Sequence, residues 1–183
     1  MILPVYTYGS AVLRKKSEPI DSGYPNIKEL IDNMFETMHS ASGVGLAAPQ
    51  IGLPIRVLVI DFAQIEDKTD PELSKFRVAM INPRMLYMSE ETSVEEEGCL
   101  SIPGINENVA RSKHIKIKYL DTDFNEHTED FSDYRARAIQ HEYDHLEGKL
   151  FTDKVSQLRR QLIKSKLNNI VKGKVNCKYR VSK

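Results

Sequence analysis

The chain has 183 residues, of which 40% are hydrophobic and 28% charged, with 8 prolines, 9 glycines, 2 cysteines and a formal net charge of zero. Those figures fit one ordinary globular domain over residues 1–183 and argue against a disulfide scaffold. No run of 18 apolar residues is present, so no membrane span is expected, and two cysteines in so long a chain fit a reducing cytoplasm.

The N-terminal MILPVYTYGS has no basic n-region and no long apolar h-region, so it does not read as a signal peptide. Residues 25–41 read as a helix, because Ile27, Leu30, Ile31, Met34, Phe35 and Met38 recur every three or four positions, with Pro25 suited to the first turn. GVGLAAPQ (43–50) is too rich in Gly and Pro to continue it. IRVLVIDF (55–62) is an apolar, β-branched run of buried-strand type, followed by a polar surface loop at 63–75. FRVAMINPRMLYMS (76–89) is strand-like but interrupted by Pro83, and HIKIKYLD (114–121) alternates as a half-buried strand. Residues 134–147 read as a helix that Gly148 is placed to end. A basic helix is expected at about 153–171, with Val155, Leu158, Leu162, Ile163, Leu167 and Ile170 on one face. KVNCKYRV (174–181) reads as a last short strand. Strands and helices without regular βαβ alternation predict an α+β fold.

Within the 134–147 helix lies QHEYDH (140–145). His141 and His145 are one turn apart and face the same way, a spacing that can bind a metal. Glu142 is turned by about 100° from the ligand face, so it can act on water without being a ligand. A catalytic site needs a third protein ligand. The extension H-E-x-x-H-x-x-G-x-x-H holds through Gly148 but has Phe151 in place of the last histidine. A Glu from a later helix is excluded, because no acidic residue follows Asp153. The third ligand is therefore expected upstream, among Cys99, His39, His114, His127 and several carboxylates. Cys99 lies in EGCLSIPG (97–104), and a thiolate with two imidazoles makes a good three-ligand set with a fourth position open.

GVGLAAPQ, EGCLSIPG and QHEYDHLEG, in that order, closely resemble the three motifs of the peptide deformylases, and the resemblance spans nearly the whole chain. It implies a deformylase-like α+β fold, with mixed and antiparallel sheets packed around a central metal-ligand helix. It implies a hydrolase that removes the formyl group from the N-formylmethionine of new proteins and releases formate. It makes Cys99, His141 and His145 the metal ligands and Glu142 the general acid/base. The side-chain amide of Gln50 and the backbone N–H of Leu100 become donors to the formyl oxygen. Gly45 falls where the family's substrate backbone pairs with the protein, Val44 lines the methionine pocket, and Tyr134 and Ala138 join that lining. The implied cofactor is one divalent metal ion, Fe2+ first, with Zn2+, Ni2+ and Co2+ as alternatives.

Two other readings compete. One is an HExxH endopeptidase of another family, against which Phe151 and the acid-free tail argue. The other is a non-catalytic, ribosome-associated metal-binding module, whose structural metal would normally be closed by a fourth Cys or His. The expected partners are N-formylmethionyl nascent peptides, with no DNA and no membrane. Ten basic and no acidic residues follow Asp153, which leaves the first 153 residues with 16 basic against 26 acidic ones. That asymmetry suggests that the tail meets ribosomal RNA, with a solvated amphipathic helix as the plainer alternative.

Overall fold

The structure, a computed structural model, describes residues 1–65, 67 and 69–183. Its centre is a five-stranded antiparallel sheet. Strands β2 (Gly45–Ala47), β3 (Val57–Asp61), β4 (Arg77–Met88), β7 (His114–Leu120) and β8 (Glu126–Ser132) follow one another across it. Every residue of β3 is buried. Successive side chains leave opposite faces of a strand. Leu58 and Ile60 accordingly face one cluster, with Ala138 and Ile139 of helix α2 (Asp133–Leu146). Val57 and Val59 face another, with Ile31, Met34 and Met38 of helix α1 (Ile27–Ser40). A strand covered on both faces has no polar alternation, which is why IRVLVIDF reads as a continuous apolar run.

A separate hairpin, β5 (Thr92–Cys99) and β6 (Ile102–Ser112), carries Cys99 at its turn. Ile102, Ile105 and Val109 of β6 pack with Leu150 and Phe151, and under Ile163, Leu167 and Ile170 of helix α3 (Gln157–Val171). A short parallel pair joins β1 (Val5–Tyr6) to β9 (Val181–Ser182). The fold is the expected α+β arrangement around α2.

Several expectations need correction. Pro25 precedes the α1 cap, Asn26, and does not occupy the first turn. Pro83 does not interrupt β4, because the ladder to β7 shifts register between Ile81 and Arg84 and the missing N–H falls in that irregularity. Helix α3 begins at Gln157, and residues 151–153 form a separate 3-10 turn. Leu158 and Leu162 lie 67% and 62% exposed, so the apolar stripe drawn through them is not the packed face. The final strand is only Val181–Ser182. The 63–75 loop lies partly outside the described residues, and its described end turns at Leu73–Lys75 and buries Leu73. Among the described residues no helix is long and apolar enough to cross a membrane.

Candidate metal centre and cleft

The C-terminal half of helix α2 brings His141 and His145 together, their rings 5.3 Å apart and inclined at 70°. The β5–β6 turn carries Cys99 to the same place, with Sγ 3.3 Å from His145 Nε2. The candidate ligand atoms of these three residues lie within 4.8 Å of one another, and among the described residues the group has three members. The other upstream candidates are engaged elsewhere. His39 bonds Asp61, His114 bonds Ser132 and His127 bonds Asp121. Phe151, at the position where the extended motif would need a histidine, stacks on the His141 ring at 6.0 Å.

The chemistry of the donor set fits a metal ion. One sulfur and two imidazoles converge in a largely buried place, and among the described residues no fourth member joins them, which suits a site that leaves a position open. The ring of His141 is already oriented, because its Nδ1 lies 2.9 Å from Glu97 Oε2. That leaves Nε2 of His141 for the ligand side, an arrangement common around metal-binding histidines. Burial drives the His145 imidazole well below its ordinary pKa and so toward the neutral form that a ligand needs.

Glu97 is itself held by a buried network. Arg111 grips it with two bonds of 2.8 and 2.9 Å and reaches Asp144 at 2.5 Å. Arg137 adds a bond of 2.7 Å to Glu97 and further bonds to the carbonyls of Val109 and Ser93. Burial opposes the Glu97 charge, but the bonds from Arg111 and His141 outweigh it and hold the carboxyl well below the usual range. Sequence reasoning missed Glu97, Arg111 and Arg137 as site residues. The available signal was a charged residue inside EGCLSIPG, two positions before Cys99. Arg137 is an anchor for Glu97, although its edge also borders the cleft.

A cavity of about 560 Å3 opens beside these groups. The structure places Val44, Gly45, Gln50, Cys99, Leu100, Tyr134, Ala138, His141 and Glu142 on its lining, so all the expected site residues except His145 border one space. His145 sits immediately behind, against Cys99. Glu142 is buried, and its Oε2 has no hydrogen-bond partner. Burial pushes its carboxyl up to about 7, a value suited to both taking and giving a proton near neutral pH. Gln50 Oε1 accepts from the Ala47 N–H at 2.8 Å, which aims its amide nitrogen at Cys99 Sγ and Ser101 Oγ, 3.4 and 3.2 Å away. Gly45 has a reason beyond substrate approach, since a side chain there would collide with the Glu142 carboxylate.

The family model described as polypeptide deformylase matches residues 2–161. A peptide deformylase of Christiangramia forsetii is 51% identical over 187 aligned positions, covering 99% of this chain and 95% of that protein. The crystal structure of peptide deformylase from Thermus thermophilus superposes with a TM-score of 0.84 at 36% identity, covering 94% of this chain and 99% of that one. A Met-Ala-Ser bound class I type b peptide deformylase from Acinetobacter baumannii superposes with a TM-score of 0.78 at 33% identity, covering 85% and 99%.

Proposed function

The chain belongs to the peptide deformylase family, and on that premise we propose that Cys99, His141 and His145 hold its metal ion while Glu142 moves the protons. It is a hydrolase that removes the formyl group from N-formylmethionyl peptides, with formate and a free α-amine as products. The observation that carries the proposal is the convergence of one thiol and two imidazoles beside the buried Glu142 carboxylate, one oxygen of which has no hydrogen-bond partner.

A divalent metal ion bound there supplies Lewis acidity and makes water reactive at neutral pH. The remaining steps fall to side chains. Glu142 takes a proton from the attacking water and delivers it to the leaving amine, the two halves of acid–base catalysis in one residue. Negative charge grows on the formyl oxygen as the carbonyl carbon becomes tetrahedral. The Gln50 amide and the Leu100 N–H meet that charge, and losing one such donor typically costs about 10²–10³ in rate. The peptide lies extended along the free side of β2 at Gly45, since β2 is an edge strand of its sheet. The methionine side chain enters among Val44, Tyr134 and Ala138, which line one part of the cavity.

Fe2+ is the working metal in this reading. The support is the mixed sulfur and nitrogen donor set, which zinc, nickel and cobalt also accept, so availability decides. One catalytic domain occupies residues 1–183 and works in the cytoplasm, where new chains emerge. Its basic tail steers it to ribosomes, and the exposed Lys164, Lys166 and Lys172 of α3 and its end supply the charge.

Formate release from formyl-Met-Ala-Ser tests the function, using protein prepared without oxygen. Metal-dependent release is expected. Metal-loaded, folded protein that releases none would overturn it, and cleavage of internal casein bonds would return the endopeptidase reading.

A further inference from the structure

The last ten residues do more than extend the basic helix. Gly173 turns the chain away from α3 with a φ of 75°. Val5 N–H then donates to the Arg180 carbonyl at 2.9 Å, and Thr7 N–H to the Ser182 carbonyl at 3.1 Å, which fastens the end of the chain to β1. Between those two fixed points, residues 176–179 border the same cavity as Cys99 and Glu142. Tyr179 is half-buried there, and its Oη donates to the Leu100 carbonyl at 2.8 Å.

Leu100 is held from several sides. The next carbonyl, that of Ser101, accepts from the Tyr8 N–H at 2.8 Å. The Leu100 side chain lies so close to Gly43 that a Cβ added at 43 would come within 2.8 Å of Leu100 Cδ1. Tyr179 supplies the bond to the carbonyl of Leu100 itself. A donor aimed at developing charge works only if it is already in place, because reorienting it during the reaction consumes the stabilisation it offers.

We propose that Tyr179 is a positioning residue for deformylation: by holding the Leu100 carbonyl, it fixes the backbone that presents the Leu100 N–H to the formyl oxygen. The proposal rests on the reading of Leu100 as an oxyanion donor. It makes the C-terminal segment part of the active-site wall, independently of any contact the tail makes with ribosomes.

The test is Tyr179→Phe in the full-length protein, which keeps the ring and removes only the hydroxyl. In the zinc-loaded, diamagnetic protein the Leu100 carbonyl carbon signal should move, as expected on loss of its hydrogen bond. In the catalytically active form, kcat for formyl-Met-Ala-Ser should fall by roughly 5-fold, the worth of about one neutral hydrogen bond. KM should stay within about twofold, the pattern of an interaction used in the transition state. An unmoved Leu100 signal would overturn the contact and the proposal with it. A moved signal with unchanged kcat would overturn the positioning role and leave the reading of Leu100 as a donor standing.

Discussion

Glu97 Oε2 lies 2.9 Å from His141 Nδ1, and the same carboxylate is gripped by Arg111 and Arg137. The buried charges of Glu97, Arg111 and Arg137 therefore converge on the angle of one imidazole. The carboxylate favours the tautomer with its proton on Nδ1, which leaves Nε2 as the ligand atom.

Glu97→Gln should accordingly weaken metal binding by about 10–100-fold, the range for losing an orienting partner of a ligand histidine. The variant should also melt earlier, because Arg137 loses its buried counter-charge while Arg111 keeps only Asp144, a change worth up to about 3–5 kcal/mol. Competition with a chelator measures the first effect and thermal unfolding the second. Metal affinity equal to that of the parent would contradict the orienting role.

Glu142→Gln should keep the metal and lose roughly 10² or more in turnover, since the amide can neither take nor give the proton. Metal analysis beside steady-state kinetics checks both halves. Near-normal turnover would remove Glu142 from the chemistry.

How much of this was legible beforehand depends on where the residues lie in the chain. His141, Glu142 and His145 share one helix, so spacing alone placed them. Cys99 is 42 positions away from His141, and no periodicity connects them. The candidates His39, His114 and His127 could be set aside only once the fold had sent them elsewhere. The hairpin at 92–112 escaped the pattern reading for a physical reason. Strand β6 alternates from Gly104 to Arg111, but Glu107 and Arg111 occupy two of its inward positions, paired with Arg159 and Glu97. A buried ion pair erases the apolar alternation that marks a strand. Strand β8, EHTEDFS, was missed because it is a charged edge with little to bury, which protects it from pairing with other chains. In α3 the 3.6-residue period was right, but only Ile163, Leu167 and Ile170 are buried on the body.

Activity should decay faster in air than without oxygen, because a metal-bound thiolate and Fe2+ are both oxidisable. Parallel incubations with and without oxygen make the comparison. Equal decay would reject Fe2+ and point to zinc or nickel as the working metal.

Ribosome binding through the tail should weaken steeply with salt, as contacts to phosphate release counterions. Reversing Lys164, Lys166 and Lys172 to Glu should abolish co-sedimentation and leave deformylation of short peptides intact. Arg159 is unsuitable for this purpose, since it holds Glu107 with bonds of 2.8 and 2.9 Å. Co-sedimentation that survives the reversals, or ignores salt, would leave α3 as a solvated amphipathic helix.

If Cys99, contributed by the hairpin, completes the metal centre with His141 and His145, removing its sulfur should empty the site. The most direct measurement is the metal content of Cys99→Ala, taken together with its formate release from formyl-Met-Ala-Ser. Metal and activity should be lost together while the protein stays folded. A Cys99→Ala protein that retains stoichiometric metal would contradict it.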